Sequence, residues 1–199
     1  MKKAQFHLAA LCCSLASLGS AQDSAGINTL MDLCIPISAD GASARDGLRN
    51  AGWKELAKPE AAAPLANLIA SQMWHLAADS SSERRLELTV DYTDGFYASL
   101  GNAMLGPIFT LEDQVAMVLE ADGSLSCMWA GPKDDALLAR IDAIGGFPAA
   151  DGTVTAAKTQ IVEFGSADYS RNETYAFIDS SDRAGQLPYA ARLDRSPVQ

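Results

Sequence analysis

The order of apolar patterns along this chain predicts an α+β domain: an antiparallel sheet with N-terminal helices and one mid-chain helix packed on a face, held by one disulfide. Three observations carry this. Helical apolar spacing fills the first third, up to Leu76. Hairpin-like strands without βαβ alternation fill most of the rest. Two cysteines, Cys34 and Cys127, stand 127 less 34, or 93, positions apart.

The first residues stand outside the domain. Met1-Lys2-Lys3 is a short positive start, Phe6 to Leu18 is an apolar run, and Gly19-Ser20-Ala21 precedes polar Gln22-Asp23. These are the three parts of a secretory signal peptide, 1–21. Cleavage after Ala21 shortens the chain from 199 by 21 to 178 residues. It removes Lys2, Lys3, His7, Cys12 and Cys13, so the formal charge moves from −10 to −12. What remains is one histidine, His75, and two cysteines. The division expected is a signal peptide at 1–21, one α+β domain at 22–182 and a loosely packed polar tail at 183–199. With 35 alanines and 6 lysines, the composition is that of a GC-rich Gram-negative bacterium, and the expected location is periplasmic or secreted.

Each element has a local cause. Ile27, Leu30, Met31 and Cys34 recur at helical spacing and stop before Pro36. Asp40-Gly41 reads as a turn. Ser43 has N-cap character, with Asp46 three residues on. Ala44, Leu48 and Ala51 share a helical face. Gly52-Trp53 reads as a Schellman stop, glycine in the left-handed position and Trp53 packing back on the last turn. Another helix begins near Pro64, with a stripe of Leu65, Leu68, Ile69, Met73 and Leu76 interrupted by Gln72. Trp74 lies on its second face, with Ala66, Ala70 and Ala77. That face is either sandwiched between layers or open to a partner. His75 sits at the margin of the stripe.

Arg85 to Asp91 alternates strictly, with Leu86, Leu88 and Val90 on one side, and reads as a strand. Asp94-Gly95 could turn it. Phe96, Leu100, Ala103 and Met104 fit a helix equally, so 96–106 is open between helix and strand, ended by Pro107. Val115 to Ala121 and Ser124 to Ala130 form a hairpin through Asp122-Gly123, a primed two-residue turn. In that register Val118 faces Cys127, and Ala116 faces Trp129. Cys127 then points toward the N-terminal helices. A helix follows Pro132, with Asp134 and Asp135 in its first turn, an apolar face of Leu137, Leu138, Ile141 and Ile144, and a Gly145-Gly146 stop. Thr159–Phe164 and Glu173–Ile178 read as strands.

The cysteines read as a disulfide, because an exported chain meets an oxidising compartment. Such a crosslink stabilises by roughly 4–5 kcal/mol in the chain-entropy model. The rival is a free catalytic thiol at Cys34 beside His75, for which Leu33-Cys34-Ile35-Pro36 supplies no pKa-lowering group.

With 25 acidic against 15 basic residues, the chain is a poor partner for nucleic acid or an anionic membrane. After the leader, no apolar run reaches the ~20 residues of a span, so no membrane insertion is expected. A single mature histidine excludes HExxH and His-rich zinc sites, and no metal or cofactor is expected. There is no G-x-S-x-G, S-x-x-K, Walker loop or G-x-G-x-x-G. Asp91 and Asp94 come nearest to a cation pair, without the order of a calcium loop. Asn172-Glu173-Thr174 fits a glycosylation acceptor that a bacterium does not use.

The segment from Cys34 through Ala51-Gly52-Trp53, with the later Leu125-Ser126-Cys127, resembles small exported proteobacterial proteins. In these, a cysteine just ahead of a helix ending in Gly-Trp is matched by a second on a mid-chain strand. The resemblance covers roughly residues 30–56 and 120–130. It implies the Cys34–Cys127 disulfide and no activity.

Three functions remain open. The first is a non-enzymatic binding or accessory protein, whose protein or small-molecule partner would meet Trp74 and His75. The second is a small hydrolase using His75 or a carboxylate pair. The third is a structural envelope component.

Overall fold

The computed structural model describes residues 25–77, 79–101, 105–145, 147–148, 153–178 and 187–198. The expected signal peptide, Asp151-Gly152 and 179–186 lie outside the described residues. In chain order the elements are α1 (Ala25–Cys34), α2 (Gly41–Asn50), β1 (Lys54–Glu55), a 3₁₀ turn (Lys58–Glu60), α3 (Ala62–Leu76) and α4 (Ser82–Ser99). Then come β2 (Leu105–Leu111), β3 (Gln114–Ala121), β4 (Ser124–Gly131), α5 (Asp135–Ile144), β5 (Phe147–Pro148), β6 (Thr153–Phe164), β7 (Ala167–Ile178) and β8 (Tyr189–Pro197). The strands make one sheet in the order β1-β2-β3-β4-β8-β7-β6-β5. Every neighbouring pair is antiparallel. The chain is α+β.

One face of the sheet carries α1, α2 and α5. Ile27, Leu30 and Met31 of α1 are fully buried against Cys127, Trp129, Tyr175 and Leu193, with Leu48 and Leu137 beside them. Each such side chain contributes about 1.5–3 kcal/mol by leaving water. Cys34 and Cys127 are bonded at 2.08 Å, with Cα atoms 6.5 Å apart, so the end of α1 is tied to a central strand. Cys127 faces Val118 across the hairpin and Trp129 faces Ala116, the register the sequence implies. Asp122 and Gly123 both have positive φ, as a primed turn requires. Arg195 of β8 holds the connection after Cys34. Its guanidinium donates to the carbonyls of Ile37 (2.5 Å) and Ala39 (2.6 Å).

The end of α2 is a complete Schellman motif. The Gly52 N–H donates to Arg49 O and the Trp53 N–H to Leu48 O, both at 3.1 Å, with Gly52 at φ +90°. Trp53 is buried in the α1/α2 core, as a staple should be. α5 is capped by Asp134, whose Oδ1 accepts from the Ala136 and Leu137 N–H groups, and it stops at left-handed Gly145. Tyr175 donates to Glu173 Oε2 at 3.0 Å. Burial, reinforced by the Glu173 charge, pushes its phenol above the usual tyrosine range, so it stays a protonated donor.

The other face carries α3. Leu65, Leu68, Ile69 and Met73 pack on Ile108, Val115, Met117, Met128 and Ala130. Gln72, in the middle of the stripe, is buried, and its Nε2 donates to Trp129 O (3.0 Å) and Ala191 O (3.2 Å). The polar residue breaking the stripe is therefore a clamp on two adjacent strands. α4 packs chiefly on α3, so α3 lies between the sheet and α4.

Four expectations fail. Residues 85–91 are not a strand but part of α4. Ser81 caps it by accepting from the Arg84 N–H at 3.2 Å, and the run Glu83 to Leu88 consists of helix formers. Seven alternating residues fit either period, and the cap decides. Asp94-Gly95 accordingly lies inside α4. Second, Asp40 and not Ser43 is the cap of α2, and Asp40-Gly41 is no turn, because Asp40 Oδ1 accepts from the N–H of Ser43, which lies inside the helix, at 2.7 Å. Third, Pro107 sits within β2, at the break in register between Leu105 and Ile108, where a ladder can spare an N–H. Within 96–106, residues 96–99 are helix and 105–106 are strand. Fourth, the stretch read as a tail contains β8, paired to β4 on one side and β7 on the other, with Leu193 fully buried. Its charges are accommodated because Arg192 pairs with Asp194 and Arg195 finds backbone carbonyls.

Candidate functional site

The surface that the core does not explain is α4. In an ordinary amphipathic helix, leucines and valines face inward. Here the fully turned-in positions are Arg85 and Thr89. Arg85 Nε donates to Ala77 O at 2.9 Å, just past the end of α3, where a cation suits the carbonyl end of the helix. Thr89 Oγ1 donates to Arg85 O at 2.8 Å. At the far end, Lys58 Nζ donates to Ala98 O (3.0 Å) and Leu100 O (3.4 Å). A cation thus holds each end of the α3–α4 arrangement, while Leu88, Phe96 and Leu100 pack toward α3.

The consequence is an apolar outer surface. Leu86 is 41% exposed, Val90 59% and Tyr92 48%, and Leu76, last in the α3 stripe, is 49% exposed. Leu86, Val90 and Thr93 follow one another at i, i+4 and i+7, so they share a face. They line a hollow of about 340 Å³ between α4 and α3, with Ala66 and Asn67 on the α3 side and Asp94 at the rim. Thr93 Oγ1 is buried there without a hydrogen-bond partner among the described residues. On the opposite flank, Tyr92, Phe96 and Leu105 line a second, shallower hollow, with Asp91 at its rim. Asp91 and Asp94 border separate hollows and do not converge on one. Glu83, Glu87, Asp91 and Asp94 are exposed along the helix, against one exposed cation, Arg84, which is paired with Glu87 at 2.8 Å. The ridge is apolar along its flanks and acidic along its rim.

Trp74 and His75 lie on α3, the helix between the sheet and α4, but their side chains fall outside the described residues. The candidate surface lies on α4, the helix packed against the one that carries Trp74 and His75. Leu86 and Val90 were missed because alternation assigns them to the buried side of a strand. The Ser81 cap and the Arg84–Glu87 spacing are the signals that would have found the helix. Cys34 and Cys127 are joined and buried, which removes the free-thiol alternative. Among the described residues, no group of three His, Cys, Asp or Glu side chains is placed to hold a metal ion. No described helix is long and apolar enough to cross a membrane.

A separate cleft of about 570 Å³ opens between the start of α3, the β2–β3 turn and Lys133. Glu112 in that turn has φ +52°, a left-handed conformation that costs a non-glycine residue about 1 kcal/mol or more. Lys133 there already faces Asp135 at 3.8 Å. Its mixed charges favour no one ligand. No family model matches the chain, and neither the curated proteins nor the solved structures return a similar one.

Proposed function

We propose that this is an exported, non-enzymatic binding or accessory protein whose α4 ridge receives a basic amphipathic segment of a partner protein. The observation that supports it is the exposure of Leu86, Val90, Tyr92 and Leu76 inside a rim of Glu83, Glu87, Asp91 and Asp94. Apolar anchors bury area, and opposite charge at a rim steers encounter and selects the partner. A helix laid along the hollows would place apolar residues at i, i+3 and i+4 and lysines or arginines outside them. The N-terminal leader supports export to the periplasm or beyond, and a disulfide suits that compartment. Kinship with small exported proteobacterial proteins rests on the Cys34, Gly52-Trp53 and Cys127 pattern.

Fluorescence anisotropy with a labelled leucine–lysine amphipathic peptide tests the binding. The purified exported form should bind it at least tenfold more tightly than the leucine–glutamate counterpart. Leu86→Lys with Val90→Lys should abolish the preference. Equal binding of both peptides, or binding untouched by the double substitution, would sink the reading. Intact mass of the exported product, beginning at Gln22, tests the leader separately.

A further inference from the structure

We propose that a further cavity, bordered by α2, β1, the 3₁₀ turn, β2 and the residues just after α4, binds a small organic anion: a carboxylate carried on a short apolar body. The cavity measures about 320 Å³, within the range of small-molecule sites. Leu56, Leu105, Pro107 and Ile108 make its apolar wall, and Arg45 and Lys58 enter it as cations. The break in register of β2 between Leu105 and Ile108 opens the strand beside it. Bulges of this kind recur next to binding sites. Gly106 lies in that break. A Cβ on it would stand 2.5 Å from Val118 O and 3.1 Å from the Arg45 Cδ, so only glycine lets the arginine cross the strand there.

The charges of the cavity are underused. The Arg45 guanidinium is half-buried and has five N–H donors. Among the described residues it makes one hydrogen bond, a long one of 3.5 Å from Nη1 to Val118 O, and no ion pair. Lys58 spends two N–H groups on the last carbonyls of α4 and keeps a third. Glu55, the carboxylate on the lining, is engaged by Arg49 at 2.7 Å. Glu120, on the neighbouring strand, accepts from the Gly41 N–H at 3.1 Å. In a chain of net charge −10, two cations therefore line one cavity whose lining carboxylate, Glu55, is engaged by Arg49, while Asp40 and Glu120 stand near Arg45 without an ion pair to it. A carboxylate takes the arginine fork and the spare lysine N–H, and an apolar body fills the space against Leu105 and Ile108. The site shares Leu105 with one hollow of the α4 surface, and Arg45 and Lys58 line neither of the α4 hollows.

Amide NMR titration of the exported chain tests it, with benzoate as the probe, and benzamide and inorganic phosphate as controls. Benzoate should shift the Gly101, Gly106 and Ile108 amides saturably, and bind at least tenfold more tightly than benzamide. Arg45→Gln should weaken benzoate about tenfold, and Arg45→Lys should recover part of the loss, with the remaining resonances unmoved. Benzamide binding as tightly as benzoate, phosphate matching benzoate, an unchanged affinity in Arg45→Gln, or no saturable shift would each overturn the proposal.

Discussion

The two faces of the sheet are built on opposite principles. On the α1/α2/α5 face, helices turn leucine, isoleucine and methionine inward, and a disulfide ties the first helix to a central strand. On the other face α3 does the same, but α4, stacked on α3, turns Arg85 and Thr89 inward beside Leu88 and Phe96 and leaves Leu86, Val90 and Tyr92 outside. The first arrangement maximises burial. The second is held by hydrogen bonds at the helix ends and keeps apolar area in water. The apolar area left on this outer helix is what the docking proposal rests on.

Four measurements would break or sharpen this contrast. Replacing Cys34 and Cys127 together by alanine should lower the unfolding free energy by roughly 4–5 kcal/mol in urea, since the loop released spans most of the domain. A loss near zero would mean that the first face is not where stability resides. Gln72→Leu should cost about 1–3 kcal/mol, because two strand carbonyls lose a buried donor. Unchanged stability would show that the α3 clamp is dispensable. Leu86→Lys and Val90→Lys should each change stability by about 0.5 kcal/mol or less, because neither side chain is buried. A larger loss would place α4 with the core and against the docking reading.

The smallest effect concerns Asp40. Hydrogen bonds from the Ser43 backbone, then its side chain, hold its carboxyl below the ordinary aspartate value. A lowered folded pKa stabilises above the unfolded value and is lost as pH falls through the folded one. The melting temperature of Asp40→Ala should thus sit below that of the parent at pH 7, and the two should converge below about pH 4. A gap that persists in acid would assign the cap to something other than the carboxylate charge.

Much of the fold was legible, and the candidate site was not. The Asp122-Gly123 turn set the β3–β4 register to the residue. The Gly52-Trp53 stop and Gly145 marked helix ends correctly, and Asp134, read as a first-turn carboxylate, is the cap one residue before its helix. The α4 surface escaped because Leu86, Leu88 and Val90 satisfy period two as well as a helix flank. The Arg45 cavity escaped because its parts come from α2, the 3₁₀ turn and β2, which nothing in their local sequence joins.

What sequence by itself determined about this protein is therefore local: caps, stops, the hairpin, and the pair of cysteines available to join. These depend on interactions within a few residues, and their chemistry is written at those residues. The tertiary structure alone decided two other things. It placed Tyr189–Pro197 in the middle of the sheet, where the carbonyls of Ile37 and Ala39 receive Arg195. It also left α4 outside the core, because α3 already covered the sheet face that α4 would have needed. Burial is a property of what else is packed nearby, and a polar or apolar pattern alone cannot say which neighbour arrives.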